Sequence, residues 1–295
     1  MTFMAISLAA LLGSCTNSNT SSVVDTSVYN YEDSCQNLIF ELSLEVPNGT
    51  DSVSARIRKA LIADFICNAE GTGTQYDDTK VLTPYEGDRD NVQAVVDYYG
   101  KTCHDYLLKQ AKEDLEERIR YVEEDSTYTE EEKESILEDV PVWYYDLHTR
   151  KSVESEAFVV YTTEGYVYYG GAHGGVTGTG GMTFSKATGE LMKQFIKPQC
   201  TDALQPLFRK GFLQYYAEAG ETMTDEELDY RLQIEGTVIP LPQQAPFPNA
   251  AGDSLTFTYN QYEVTCYADG MPSFKLAVKD IMPYLTTQAK ALLGK

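Results

Sequence analysis

The sequence predicts an α+β fold: antiparallel sheets with helices packed on one face, and an N-terminal αβ part followed by a larger C-terminal sheet part. Three observations carry this. Residues 37–46, 142–148 and 156–162 are rich in β-branched and aromatic residues over strand lengths and stop at turn residues. Segments opening near Asp51, Asn91 and Thr201 repeat apolar residues at helical spacing. Between them and the end, residues 166–184 hold seven glycines in a dozen residues, flanked by strand-like ends.

Taken in order, residues 1–14 read as a lipoprotein signal peptide. Residues 3–12 are small and apolar but too short to span a bilayer, and Leu12-Gly13-Ser14-Cys15 matches a lipobox whose Cys15 becomes lipidated, although no Lys or Arg flanks Met1. Residues 15–34 read as a flexible tether, Ser/Thr/Asn-rich at their start. With Thr16 after the cysteine and no acidic cluster at once, sorting rules favour an outer-membrane location facing the periplasm.

Residues 35–140 form the N-terminal part. A strand at 37–46 ends at Pro47-Asn48-Gly49; Asp51 or Ser52 then caps a helix carrying Val53, Ile57, Leu61, Ile62, Phe65 and Ile66, which stops by Gly71. After a loop to Gly87, Asn91 opens a longer helix with Val92, Val95, Val96, Tyr99, Tyr106, Leu107, Leu115 and Ile119 on one stripe, weakened at Gly100. Residues 113–139 carry thirteen acidic and three basic side chains, which read as a solvated helical face that also attracts cations at long range.

Residues 141–295 form the C-terminal part. Strands at 142–148 and 156–162 are followed by Glu164-Gly165, read as a hairpin turn into Tyr166-Val167-Tyr168-Tyr169. A helix from Thr201 places Leu204, Phe208 and Phe212 on one side and admits Pro206 only in its first turn. A proline-rich connection at 240–248 leads to strands at 255–259 and 263–267 and a closing helix with Ile281 and Leu285.

Glycines in a strand permit close approach of another backbone or a ligand but weaken the strand, so their concentration at 170–181 needs a structural reason. His173 is the residue a catalytic reading selects first; the plainer reading is a hydrogen-bonded turn histidine. Tyr169-Gly170-Gly171-Ala172-His173-Gly174, the Phe184 to Gly189 turn, Asn260-Gln261-Tyr262 and Tyr267-Ala268-Asp269-Gly270 together resemble the RsiV-type extracellular domain. That family includes the lysozyme-binding ectodomain of an anti-sigma factor and many lipoproteins. The resemblance runs from about residue 142 to the end and implies a binding role. The candidate binding residues are Tyr168, Tyr169, Gly170, Gly171, His173, Gly174 and Tyr262, with Cys15 as the lipidation site.

Charge narrows the partners. With 45 acidic and 23 basic residues, a formal charge of −22 repels nucleic acid and anionic lipid, so the membrane is reached only through the lipid anchor. A basic protein of the lysozyme kind, or a wall glycan met by the abundant tyrosines, remains open. No nucleophile elbow, HExxH, P-loop or dinucleotide fingerprint occurs, and no catalytic residue, metal ligand or cofactor is assigned. Cys35, Cys67, Cys103, Cys200 and Cys266 show no zinc spacing; an odd set leaves at least one free thiol and an undetermined pairing. Two classes stand: an envelope-anchored binding module, and an envelope hydrolase acting on peptidoglycan or carbohydrate around His173.

Overall fold

The computed structural model describes residues 23–35, 37–72, 82–138, 140–171 and 174–295. Among them, five strands form one sheet in the order β1 (Thr26–Glu32), β2 (Leu38–Pro47), β3 (Trp143–Glu154), β4 (Phe158–Tyr168), β5 (Val176–Ser185). Between β2 and β3 the chain passes through α1 (Ser52–Glu70), α2 (Val92–Glu124) and α3 (Glu130–Glu138). After β5 come α4 (Thr201–Glu218), α5 (Asp225–Arg231), β6 (Phe247–Pro248), β7 (Ser254–Thr258), β8 (Ser273–Ala277), α6 (Val278–Ile281) and α7 (Thr287–Leu292), with β6, β7 and β8 in a second, three-stranded sheet. The α+β class read from sequence holds.

Three pairings in the large sheet are antiparallel, whereas β2 and β3 run parallel. A parallel pair needs a long crossover, and α1 to α3 supply it. The large sheet therefore draws on both halves of the chain. Residues 26–32, expected within the tether, form its edge strand. They alternate so that Tyr29 and Tyr31 turn toward the core while Val28 stays exposed.

Period-two alternation decides which face each residue serves. Leu38, Phe40, Leu42, Leu44 and Val46 of β2 are buried against Ile57, Leu61 and Phe65 of α1 and Val95, Val96 and Tyr99 of α2. The caps behave as the sequence implies. Asp51 accepts from the Val53 and Ser54 amides, and Asn91 from Ala94. Gly100 lies where Tyr31 of β1 meets α2, leaving no room for a Cβ.

Beyond this first core, a second one packs Phe208 and Phe212 of α4 against Phe257 and Phe274. It reaches the large sheet through Phe158 and Val160, while Val159 and Tyr161 of the same strand enter the first core. The start of β4 is thus covered on both faces. From Glu164 to Tyr168 its residues are half-buried, because the second core ends there and one sheet face opens to solvent.

Several expected details differ. Glu164 and Gly165 do not turn; they sit inside β4 opposite His148 and Leu147, and the hairpin is made at Ser155, whose hydroxyl accepts from the Ala157 and Phe158 amides. Pro206 lies inside α4 rather than in its first turn. The buried Leu204, Phe208 and Phe212 on either side hold the helix together against a penalty of about 3 kcal/mol. Residues 263–267 are not a strand: Glu263 folds back, accepting from the Asn260 amide at 2.9 Å and the Gln243 amide at 2.6 Å. The strand pairing with β7 is β8 instead. The expected closing helix is divided into α6 and α7 by a tight turn over Met282–Tyr284 that contains Pro283.

Cys35, Cys67, Cys103, Cys200 and Cys266 are free thiols. Cys103 is buried beside the Ala69 carbonyl, and burial pushes its pKa up to about 12.

Candidate binding surface

At the end of β4, consecutive tyrosines separate onto opposite faces. Tyr168 lies on the open face, its ring 6.4 Å from that of Tyr144, and its hydroxyl donates to the Gly171 carbonyl at 3.4 Å. Tyr169 turns to the helix-covered face, with its ring 5.0 Å from Trp143, and burial raises its phenol well above the usual range. Gly170 has φ +70°, and a Cβ there would sit 3.0 Å from the Trp143 Nε1, so the position favours glycine twice over.

Gly171 is exposed with nothing near its Cβ position. His173, like Cys15, lies outside the described residues. Gly174 comes up against the Tyr267 hydroxyl, which donates to the Gly175 carbonyl at 2.9 Å. Tyr262 takes a left-handed backbone, φ 65°, which a tyrosine rarely adopts, and holds its ring 57 % exposed and 5.9 Å from Tyr267. Of the candidate residues, Tyr168, Gly171, Gly174 and Tyr262 therefore border solvent, while Tyr169 and Gly170 pack against Trp143.

A row of tyrosines results. Tyr168 and Tyr166 of β4 both contact Tyr144 of β3; the Tyr166 ring lies against Gly175, whose carbonyl holds Tyr267, and Tyr267 leads to Tyr262. Sequence reasoning did not single out Tyr144, Tyr166 or Tyr267 as site residues. The available signal was parity: in the β3–β4 register Tyr144 pairs with Tyr168 and Asp146 with Tyr166, which places all four on one face.

The cross-strand row that starts at Tyr166 continues through Asp146 as an acidic one. Glu32 pairs with Glu41, and Glu41 with Asp146, so three carboxylates stand side by side on neighbouring strands. Like charges facing each other on neighbouring strands are destabilising. His148 stands beside two of them, with Nε2 3.9 Å from the Glu41 Oε2 and 4.0 Å from the Asp146 Oδ1. Burial raises the Asp146 carboxyl, against the pull of His148 and of a 3.1 Å hydrogen bond from the Tyr166 amide. Arg150 is spent on Glu164, with Nη2 2.9 Å from both carboxylate oxygens. Among the described residues the face is thus aromatic at one end and acidic beside it, and its Arg150 is already paired.

His104 belongs to a different environment. It is buried on α2 with its ring 5.7 Å from Phe40, on the helix-covered side, and Nδ1 approaches Asp105 at 3.4 Å. Among the described residues no cluster of three His, Cys, Asp or Glu side chains could hold a metal ion. No described helix is long and apolar enough to cross a membrane.

No protein-family model and no curated protein matches the chain. The architecture is nonetheless that of solved bacterial proteins of the DUF3298 family. A member from Bacteroides fragilis NCTC 9343 aligns with a TM-score of 0.59 at 19% identity, covering 93% of this chain and 99% of that one. A DUF3298 family protein from Pseudomonas aeruginosa PAO1 aligns with a TM-score of 0.56 at 10% identity, covering 91% and 97%. The shared fold runs through both halves of the chain.

Proposed function

We propose that this chain is an envelope-anchored binding module whose open sheet face receives a basic protein. The observation that carries the proposal is the adjacency of two rows: the Tyr144, Tyr166 and Tyr168 rings beside the in-register carboxylates of Glu32, Glu41 and Asp146. Three aligned carboxylates weaken an isolated sheet and are relieved by lysine or arginine from a partner. Tyrosine supplies large contact area at little loss of conformational freedom, the usual composition of an interface centre. A wide, uncovered sheet face suits a folded protein.

The resemblance to the RsiV-type domain makes a basic muramidase of the lysozyme kind the first partner to try. Anchoring through lipidated Cys15, at the outer membrane and facing the periplasm, belongs to the same proposal. A photo-crosslinking residue at position 144 should capture purified lysozyme, whereas the same residue at position 230, exposed on α5, should not. Equal capture at both positions, or none at 144, contradicts the assignment of this face.

A further inference from the structure

We propose that a cleft on the helix-covered face of the large sheet binds a single uncharged sugar ring. The cleft, about 180 Å³, opens between α1, the β4–β5 pair and the segments carrying Gln244 and Asn260. Its floor is glycine. Gly165 and Gly178 are cross-strand partners, and Gly180 follows on the same side. Glycine weakens a strand interior, yet a Cβ on Gly178 would meet nothing within 4 Å. Packing within the chain does not ask for glycine there; the space it leaves belongs to the cleft.

The walls divide into a polar and an apolar side. Asp64 and Asn68 project from α1, and Gln244 faces them from its loop, while Leu147 and Met182 supply the apolar contribution. Thr163 Oγ1 and Asn68 Nδ2 donate to Asp64 at 3.2 Å and 3.1 Å, both to Oδ2, which leaves Oδ1 for a donor from outside. Burial raises the Asp64 carboxyl while those two hydrogen bonds pull it back. Among the described residues the Gln244 amide makes no hydrogen bond, whereas the Asn260 amide is held by the Thr179 backbone through one bond at each end and forms a fixed wall.

Size and chemistry select the ligand class. The volume holds roughly six waters, well below the several hundred Å³ of a site for a larger organic ligand. A pyranose offers hydroxyls along its rim and C–H groups on its face, matching amides and carboxylate on one side and Leu147 and Met182 on the other. A bare glycine floor lets a ring lie flat on the backbone. The Asp64 carboxyl disfavours an anionic ligand. This site lies on the opposite face from the tyrosine row and stands independently of the protein-binding proposal.

The test is ligand-observed NMR titration of the full chain with glucose, galactose, N-acetylglucosamine and, as the anionic counter-probe, glucuronate. The expected result is saturable binding of at least one neutral sugar with a Kd of about 1 mM, and weaker binding of glucuronate. Gly178→Val fills the open space and should weaken the neutral sugar at least tenfold while the melting temperature holds or rises. Asp64→Asn should weaken it similarly, and Tyr144→Ser should leave it unchanged. If Asp64→Asn fails to fold, Gly178→Val decides alone. Absence of saturable binding by all three neutral sugars up to roughly 20 mM overturns the proposal. So does binding unmoved by Gly178→Val, or glucuronate binding as tightly as the neutral sugars.

Discussion

The side-chain amide of Asn260 brackets the backbone of Thr179, accepting from its N–H at 2.8 Å and donating to its carbonyl at 3.1 Å. Gln261 accepts from the Thr177 amide at 2.7 Å. Two side chains thus stand in for a neighbouring strand along part of the β5 edge, where unpaired backbone would otherwise invite another chain. Asn260→Ala should lower stability by about 1–3 kcal/mol, since it strands a partly buried donor and acceptor. It should also introduce concentration-dependent association. Thermal melting and light scattering check both, and an unchanged melting temperature contradicts this account of the edge.

Gly100 sets two effects against each other. Alanine in a helix interior is favoured over glycine by roughly 0.5–1 kcal/mol. A Cβ at position 100, however, would sit 2.7 Å from the Tyr31 Cβ, at the rigid root of a side chain fixed by strand pairing. Overpacking of that kind costs about 1–3 kcal/mol, so Gly100→Ala should destabilise. Chemical denaturation measures the sign directly.

Glu154 ties the end of β3 to the chain around it, with Lys186 at 2.7 Å, Lys151 at 3.0 Å and the Val24 amide at 2.8 Å. Burial works to raise its carboxyl, but the donors from Lys186, Val24 and Lys151 outweigh it and hold the group below its ordinary 4.5. A depressed folded pKa contributes stability that is present above the unfolded value and lost as pH falls through the folded one. Glu154→Gln should therefore melt lower than the wild type at pH 7, and the gap should shrink on acidification below about pH 4.5. A gap that stays constant or widens between pH 7 and pH 3 counts against it.

What the sequence disclosed was local. Asp51 and Asn91 announce their helices because a capping side chain acts within three residues, and the alternation of β2 names its inward residues one by one. What it concealed depends on distant partners. Gly165 looks like a turn until β3 and β5 pair on either side of it. Glu263 sits in a strand-like run, but its carboxylate captures the Asn260 and Gln243 amides. The glycine segment was conspicuous by composition, yet Tyr168 and Tyr169 part onto opposite faces. The face of Tyr169 is covered by the α1 and α2 core, and the face of Tyr168 is open only beyond Phe158 and Val160, where the second core ends, contacts no local pattern records.

Cys15 supplies a separate prediction. Wild-type cells should incorporate labelled palmitate into the protein and fractionate it with membranes, and Cys15→Ala should release it. Label absent from the wild type removes the anchor.

Whether the open tyrosine-bearing face recognises a basic protein is decided by a salt titration of complex formation. Lysozyme is compared with a charge-matched basic protein of unrelated shape, using the wild type and a Tyr144→Ser, Tyr168→Ser double variant. Long-range attraction is screened beyond about 8 Å at physiological ionic strength, so both basic proteins should bind at low salt. Short-range packing on the tyrosines survives screening. Only lysozyme on the wild type should keep a measurable complex at high salt. Parallel loss of both proteins, or an unaltered complex in the double variant, contradicts it.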